Sequence, residues 1–333
     1  MKGLFAVAPG RLEVLELPQP EPGPYEALVQ TEACAICNST DTKLIHGQFF
    51  SGTWPILLGH ESVGRVVELG EKVRHFRLGD RVLRGSLTDA HIPFPGGRSC
   101  WGGFAEYNLV TDVWARDGTE YDARPHPQQV VPPHIGPISA AALITLKENL
   151  SFISNFDVAG HSVAIVGTGP VAQAMTLFAR LLGAKQIVVF GRHKRWRERF
   201  TALGADAYVV GDDLPCRAQA ILDRSGFERV VEAVGSRAAL ARCIALAGAR
   251  GQVGIYGIPP EDEPYDEADA ANPQVSWPRV AEAEVHDQLL AMVARGQVNL
   301  TDWVSLALPW QEFQRGFEMI WKKEANKVVL TFT

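Results

Sequence analysis

Val163-Ala164-Ile165-Val166-Gly167-Thr168-Gly169-Pro170-Val171-Ala172 is the stretch that decides the fold. A short apolar run of this kind is a buried strand. The pattern G-x-G-x-x-A follows at once and opens an apolar helical stretch from Val171 to Leu182. Its glycines permit a tight turn and close backbone approach. The free N–H groups and dipole of the helix N-terminus then favour an anion. Alone the motif is weak, since a glycine-rich turn kept for packing reads the same. Its setting between a strand and a helix favours a dinucleotide, with Gly167, Thr168, Gly169, Pro170 and Val171 at the pyrophosphate. Ile187–Phe190 is the next strand, a charged helix runs to about Leu203, and Ala207–Val210 is a third strand. Val230–Ala233 and Gln252–Tyr256 add two more. Strands alternating with helices imply right-handed crossovers and a doubly wound parallel sheet, an α/β Rossmann fold.

An acidic residue about 20 positions past the glycines normally holds the ribose hydroxyls and selects NAD. Here the second strand gives way to Gly191-Arg192-His193-Lys194-Arg195, with no carboxylate. A fixed cationic fork takes a 2′-phosphate bidentately, so Gly191, Arg192, His193 and Arg195 point to NADP(H) over NAD(H). The plainer alternative is a solvated helix face from Arg192 to Arg199.

Away from that core, 333 residues suggest two domains at roughly 100–200 residues each. Hydrophobic residues make up 46% and charged residues 21%, a globular mix that excludes disorder, collagen-like repeats and coiled coil. Lys plus Arg number 32 against 38 for Asp plus Glu, so the net charge of −6 gives no general attraction for nucleic acid or anionic membrane. Five cysteines are too few and odd in number for a disulfide framework. The N-terminus breaks at Pro9-Gly10 before an apolar signal core forms, and no stretch approaches the roughly 20 apolar residues of a membrane span. These features predict a soluble, cytoplasmic enzyme.

Residues 1–135 carry short strand-like runs at Leu12–Leu17, Ala27–Glu32, Ser62–Leu69 and Asp80–Leu83, separated by Pro and Gly, and predict an irregular, mostly β domain. Residues 261–279 read as an acidic loop returning toward that domain, and Lys327–Phe332 as a closing strand. Cys37, His60 and Glu61 offer thiolate, imidazole and carboxylate, the ligand types of a catalytic zinc that keeps one position open.

With these residues in place, the chain resembles the medium-chain, zinc-dependent alcohol dehydrogenase family from end to end. The resemblance rests on Cys37, Gly59-His60-Glu61-Ser62-Val63-Gly64, Gly79-Asp80-Arg81-Val82, Gly103-Phe104-Ala105-Glu106-Tyr107, the glycine loop at 167–172 and Lys327-Val328-Val329-Leu330. It implies a GroES-like catalytic domain over 1–145 and 284–333 and a Rossmann domain over 146–283. It implies one catalytic zinc on Cys37 and His60, with Glu61 a third ligand or a nearby modulating carboxylate. The proton relay falls on Ser39 or Thr40, because one extra residue separates Cys37 from Asp41. Val234-Gly235 and Gly257-Ile258 resemble the loops flanking the nicotinamide, and Lys327 the basic residue reaching the pyrophosphate. A homodimer or homotetramer is expected, joined through Gly251–Ile258 as an edge strand.

The sequence departs from the family in four places. Thr145 stands where a further Cys or Glu would sit near the metal, with Glu148 close enough in sequence to serve instead. Lys43 replaces the relay histidine, and His46 reads as structural. The four-cysteine zinc lobe is missing, since 84–102 holds only Cys100; Cys34, Cys216 and Cys243 read as small buried hydrophobes. Residues 112–127 look like an insertion. Trp54, Phe94 and Trp101 are candidates for the substrate pocket or for the core. The function so implied is hydride transfer between NADP(H) and an alcohol, aldehyde or ketone. A zinc-free C=C reductase of the same fold, or a non-catalytic nucleotide-binding relative, are the alternatives.

Overall fold

Two compact units emerge from the chain path, Met1–Thr145 with Ala283–Thr333, and Leu146–Glu282. The structure is a computed structural model and describes all residues except 51, 122, 212–225 and 333; Cys216 lies outside the described residues. No helix among the described residues is long and apolar enough to cross a membrane.

The first unit opens with β1 (Lys2–Ala8), β2 (Arg11–Glu16), β3 (Glu26–Ala35), α1 (Thr40–Ile45), β4 (Ile56–Leu57), β5 (Glu61–Leu69), β6 (Arg81–Leu83), β7 (Arg98–Ser99), β8 (Tyr107–Thr111), α2 (Val113–Asp117) and β9 (Val130–Val131). The 19-residue α3 (Pro137–Asn155) carries the chain into the second unit. There follow β10 (Ser162–Val166), α4 (Pro170–Leu181), β11 (Gln186–Gly191), α5 (Arg197–Ala202), β12 (Ala207–Val210), β13 (Phe227–Glu232), α6 (Arg237–Leu246), β14 (Ala247–Ile255), α7 (Glu267–Ala270) and β15 (Val275–Ser276). The chain then returns to the first unit with α8 (His286–Ala294), β16 (Leu306–Pro309), α9 (Phe313–Trp321) and β17 (Val328–Thr331).

In the second unit the strands run in the order β12-β11-β10-β13-β14-β15, all parallel, so the strand order reverses between β10 and β13. That reversal opens a crevice at the strands' C-terminal ends, where doubly wound sheets bind ligands. Burial on both faces explains why β10 and β11 are continuous apolar runs rather than alternating ones. The stretch 261–279 is not only a loop: it contains α7 and β15, and β15 pairs with β14. Gly251–Ile258 is therefore internal to the sheet, and the short β15 takes the edge instead. Two residues of strand in an acidic, Pro-containing segment carry too little apolar alternation to be read from sequence.

In the first unit β3 and β5 form the longest antiparallel ladder, with Cys34 opposite Ser62 and Ala35 opposite Glu61. β17 pairs with β3 on its other side, with Val329 opposite Ala35. The residues just past β3 (Cys37), just before and at the start of β5 (His60, Glu61) and just before β17 (Lys327) are thus delivered to one corner. The insertion at 112–127 completes a core: buried Trp114 packs with Phe76, Val82 and Val110, and its indole N–H donates to the Arg124 carbonyl (2.9 Å). Asp112 secures it by capping α2 and accepting the backbone N–H groups of Arg74 and His75. Trp54 packs against the core beneath α9, and Phe94 stacks edge-on against Phe5, so both serve packing.

Candidate metal centre and nucleotide loop

Cys37, His60 and Glu61 each present a ligand atom, and these atoms lie within 4.8 Å of one another. Among the described residues this is the one group of three or more His, Cys, Asp or Glu side chains so arranged. Glu61 is divided in two: Oε1 faces His60 Nε2 at 3.9 Å, while Oε2 accepts from Lys327 Nζ at 2.5 Å. One carboxylate oxygen is therefore available to a metal while the other is held.

Behind the histidine sits a residue that the sequence reading missed. Asp41, fully buried on α1, accepts the Cys37 backbone N–H through Oδ2 (2.8 Å) and turns Oδ1 to 3.5 Å from His60 Nδ1. Neither Oδ1 nor Nδ1 has a hydrogen-bond partner within normal geometry. An imidazole that gave Nε2 to a metal would carry its proton on Nδ1, facing this carboxylate, the arrangement that orients metal-bound histidines. In the metal-free chain, burial lowers the His60 pKa, but the Cys37 and Asp41 charges outweigh it and raise the value. The donor set and the two orphaned atoms fit a zinc ion. The one available signal for Asp41 was its place one helical turn after Cys37.

Lys327 has its ammonium buried between Glu61 and Thr145, donating to Thr145 Oγ1 at 2.9 Å. Thr145 is thus a partner of Lys327. Glu148 belongs to the second unit, where its Oε2 accepts from the Tyr256 hydroxyl at 3.2 Å. Ser39 is exposed at the start of α1, and its Oγ accepts from Lys43 Nζ (2.9 Å). The half-buried Thr40 hydroxyl makes no hydrogen bond among the described residues. His46 packs on Trp321 with ring centroids 5.4 Å apart, a structural role. Burial, with the Asp41 and Glu61 charges, pushes the Cys34 thiol well above its ordinary pKa, and burial pushes Cys100 up to about 12.

Trp101 lies with its ring 5.1 Å from that of His60. It also lines a cavity of about 640 Å³ together with Phe50, Leu87, Asp89, Arg98 and Cys100. Of the three aromatic candidates, Trp101 lies on this cavity, within the 84–102 segment, whose only cysteine is Cys100.

In the second unit the residues expected to meet a nucleotide gather at strand ends. Gly167 and Thr168 follow β10, Gly169 is the N-cap of α4 and Pro170 its first residue, where its missing N–H costs nothing, with Val171 beside it. Gly191 ends β11 and carries no carboxylate; a Cβ there would lie 2.2 Å from Tyr208 Oη and 2.4 Å from Thr168 Cγ2, so a larger residue would have to displace those side chains. Arg192, His193, Lys194 and Arg195 are exposed, and the Tyr208 hydroxyl donates to the His193 carbonyl (2.9 Å), fixing the turn. Val234-Gly235 follows β13 and Gly257-Ile258 follows β14, with Val234 49% and Ile258 55% exposed, large apolar side chains presented at a strand-end crevice.

Two family models match this chain: Alcohol dehydrogenase GroES-like domain over residues 23–116 and Zinc-binding dehydrogenase over residues 170–293. An uncharacterized zinc-type alcohol dehydrogenase-like protein, YdjL of Escherichia coli strain K12, is 26% identical over 356 residues, covering 100% of this chain and 99% of its own. L-threonine 3-dehydrogenase of Anaeromyxobacter dehalogenans is 26% identical over 328 residues, covering 95% and 93%. A zinc-binding dehydrogenase of Sinorhizobium meliloti solved with NADP superposes with a TM-score of 0.77, at 27% identity and 99% coverage of both chains. Fold, site and these matches agree, and the chain belongs to the medium-chain zinc-dependent alcohol dehydrogenase family.

Proposed function

We propose that the protein is a zinc-dependent oxidoreductase moving a hydride between NADP(H) and an alcohol or its aldehyde or ketone. The observation that carries this reading is the convergence of Cys37, His60 and Glu61 within 4.8 Å. A fold kept only to bind nucleotide has no use for a half-buried thiol set beside a buried imidazole and carboxylate, and a zinc-free C=C reductase has none either. Cys37, His60 and Glu61 Oε1 would hold one zinc. When bound, zinc supplies Lewis acidity toward a substrate oxygen. Asp41 holds the His60 ring, and Lys327 keeps Glu61 Oε2 occupied so that the carboxylate presents one oxygen. Ser39 is favoured over Thr40 for the proton: Lys43 donates to its oxygen, leaving the Ser39 hydroxyl proton free to be handed on.

Arg192 supports NADP(H): it is exposed at the end of β11, and Gly191 carries no carboxylate that would repel a 2′-phosphate. The Sinorhizobium relative's NADP is consistent with this. Assembly as a homodimer or homotetramer belongs to the same reading, with β15 as the open edge. The test is NADPH oxidation against a panel of carbonyls and NADP⁺ reduction against alcohols, before and after chelation. Turnover that chelation abolishes and zinc restores is expected. Chelator-insensitive reduction of a conjugated C=C bond would replace this reading with the second, and no turnover on any member with the third.

A further inference from the structure

Glu232, the last residue of β13, is fully buried and stands under both loops assigned above to the nicotinamide. Its Oε1 accepts the backbone N–H groups of Val234 and Gly235, each at 2.9 Å. Its own carbonyl accepts those of Tyr256 (3.0 Å) and Gly257 (3.1 Å). The loops are backbone to backbone here. A Cβ on Gly257 would lie 2.1 Å from the Gly235 nitrogen, and one on Gly235 would lie 2.5 Å from the Ile258 carbonyl. Tyr265, from the segment before α7, reaches in from the other side: its hydroxyl is 2.8 Å from Glu232 Oε2 and 2.7 Å from the Gly257 carbonyl.

Three oxygens in a row, Glu232 Oε2, Tyr265 Oη and Gly257 O, need two protons to make two hydrogen bonds. A tyrosine hydroxyl supplies one, and a carbonyl none. We infer that Glu232 is a neutral carboxylic acid that donates to Tyr265 Oη while Tyr265 donates to Gly257 O, and that this clasp locks loop 234–235 against loop 257–258. The groups that face Glu232 are consistent with a neutral acid. They are the Tyr265 phenol and, from α6, the buried Cys243 thiol, both uncharged near pH 7, and no lysine, arginine or histidine pairs with it among the described residues. Burial raises the Glu232 pKa against the opposing pull of Tyr265 and the loop N–H groups. Glu232 and Tyr265 are positioning residues. Their effect on nucleotide rests on the assignment of the two loops to the nicotinamide.

Glu232→Gln tests the proton directly, because the Gln amide N–H₂ donates where the acid O–H does and its carbonyl still accepts from Val234 and Gly235. With the intact chain, Glu232→Gln should keep the NADPH dissociation constant within about twofold. Glu232→Ala should raise it about tenfold or more by stranding loop N–H groups, and Tyr265→Phe several-fold. Because the folded pKa is raised, the acid's contribution is fully present below the unfolded pKa and lost as pH rises through the folded one. Thermal midpoint and NADPH affinity of the wild type should therefore fall relative to Glu232→Gln with rising pH. The nucleotide-free wild type should show an infrared band of a protonated carboxyl that Glu232→Gln lacks. Absence of that band, or a Glu232→Gln defect equal to that of Glu232→Ala, overturns the proposal, and Tyr265→Phe keeps it testable if Glu232→Ala does not fold. If the band is present but neither NADPH nor NADH binds the wild type, the proton stands and the assignment of the loops to nicotinamide falls.

Discussion

Around Cys37, His60 and Glu61 the charged groups are buried and assigned: Asp41 to Cys37 and His60, Lys327 to Glu61 and Thr145. At the end of β11 the opposite holds. Arg192, His193, Lys194 and Arg195 stand exposed in water; the His193 carbonyl is held by Tyr208, and the Arg195 guanidinium lies over the Trp196 ring. Both regions are read as ligand sites, yet their physics differs. A buried group stripped of its partner bears the full desolvation penalty, whereas an exposed cation loses only what solvent and salt had left of its attraction. Substitutions should therefore have large effects on metal and stability in the first region, and small, salt-dependent effects on nucleotide choice in the second.

The largest effect belongs to Cys37→Ala. Wild-type protein should carry one zinc per chain, and the variant none, with carbonyl reduction lost while circular dichroism is retained, because the metal serves chemistry and not folding. Metal analysis returning two zinc ions per chain would contradict the single ligand set. Next comes Lys327→Met, which leaves the Glu61 carboxylate buried without a cation. Breaking such a pair costs about 3–5 kcal/mol. Denaturant unfolding of the zinc-free chain should show most of this loss, and zinc should restore part of it by supplying the missing positive charge. If the change instead weakened NADPH binding and left stability alone, the contrast between the regions would collapse. Asp41→Asn should be milder, lowering zinc affinity about 10–100-fold by competition titration, as loss of a histidine-orienting carboxylate does.

How far the sequence foretold each region follows the same physics. The doubly wound sheet was legible because β10 and β11 are continuous apolar runs and a glycine loop sits between strand and helix. Cys37, His60 and Glu61 could be singled out because thiol, imidazole and carboxylate are chemically rare in combination, and the structure brings their ligand atoms within 4.8 Å. Asp41 was missed because a carboxylate four residues after Cys37 does not by itself point to His60, and the Lys327–Glu61 pair was missed because its partners are distant in the chain. Lys327 is 266 residues from Glu61, and the β17–β3–β5 register that joins them leaves no local pattern. β15 was missed because two residues carry no period. The basic run, by contrast, needed no tertiary contact to be noticed.

The smallest effect is also the sharpest test of the exposed region. Gly191 leaves no carboxylate to accept from the ribose hydroxyls or to repel a 2′-phosphate, and Arg192 follows at once. A charge-assisted contact to phosphate is worth about 1.5–3 kcal/mol before screening, and each 1.4 kcal/mol is roughly tenfold in affinity. Exposure discounts the upper end, so Arg192→Ala should remove about tenfold of the preference for NADPH over NADH. It should act through the Michaelis constant for NADPH, with little change for NADH. Raising the salt concentration should mimic the substitution in the wild type and do almost nothing further in the variant, because the two act on the same attraction. The buried Lys327–Glu61 pair should be nearly indifferent to that salt. Wild-type protein that uses NADH as well as NADPH would mean that Arg192 to Arg199 is only the solvated start of a helix, with no ligand to distinguish it.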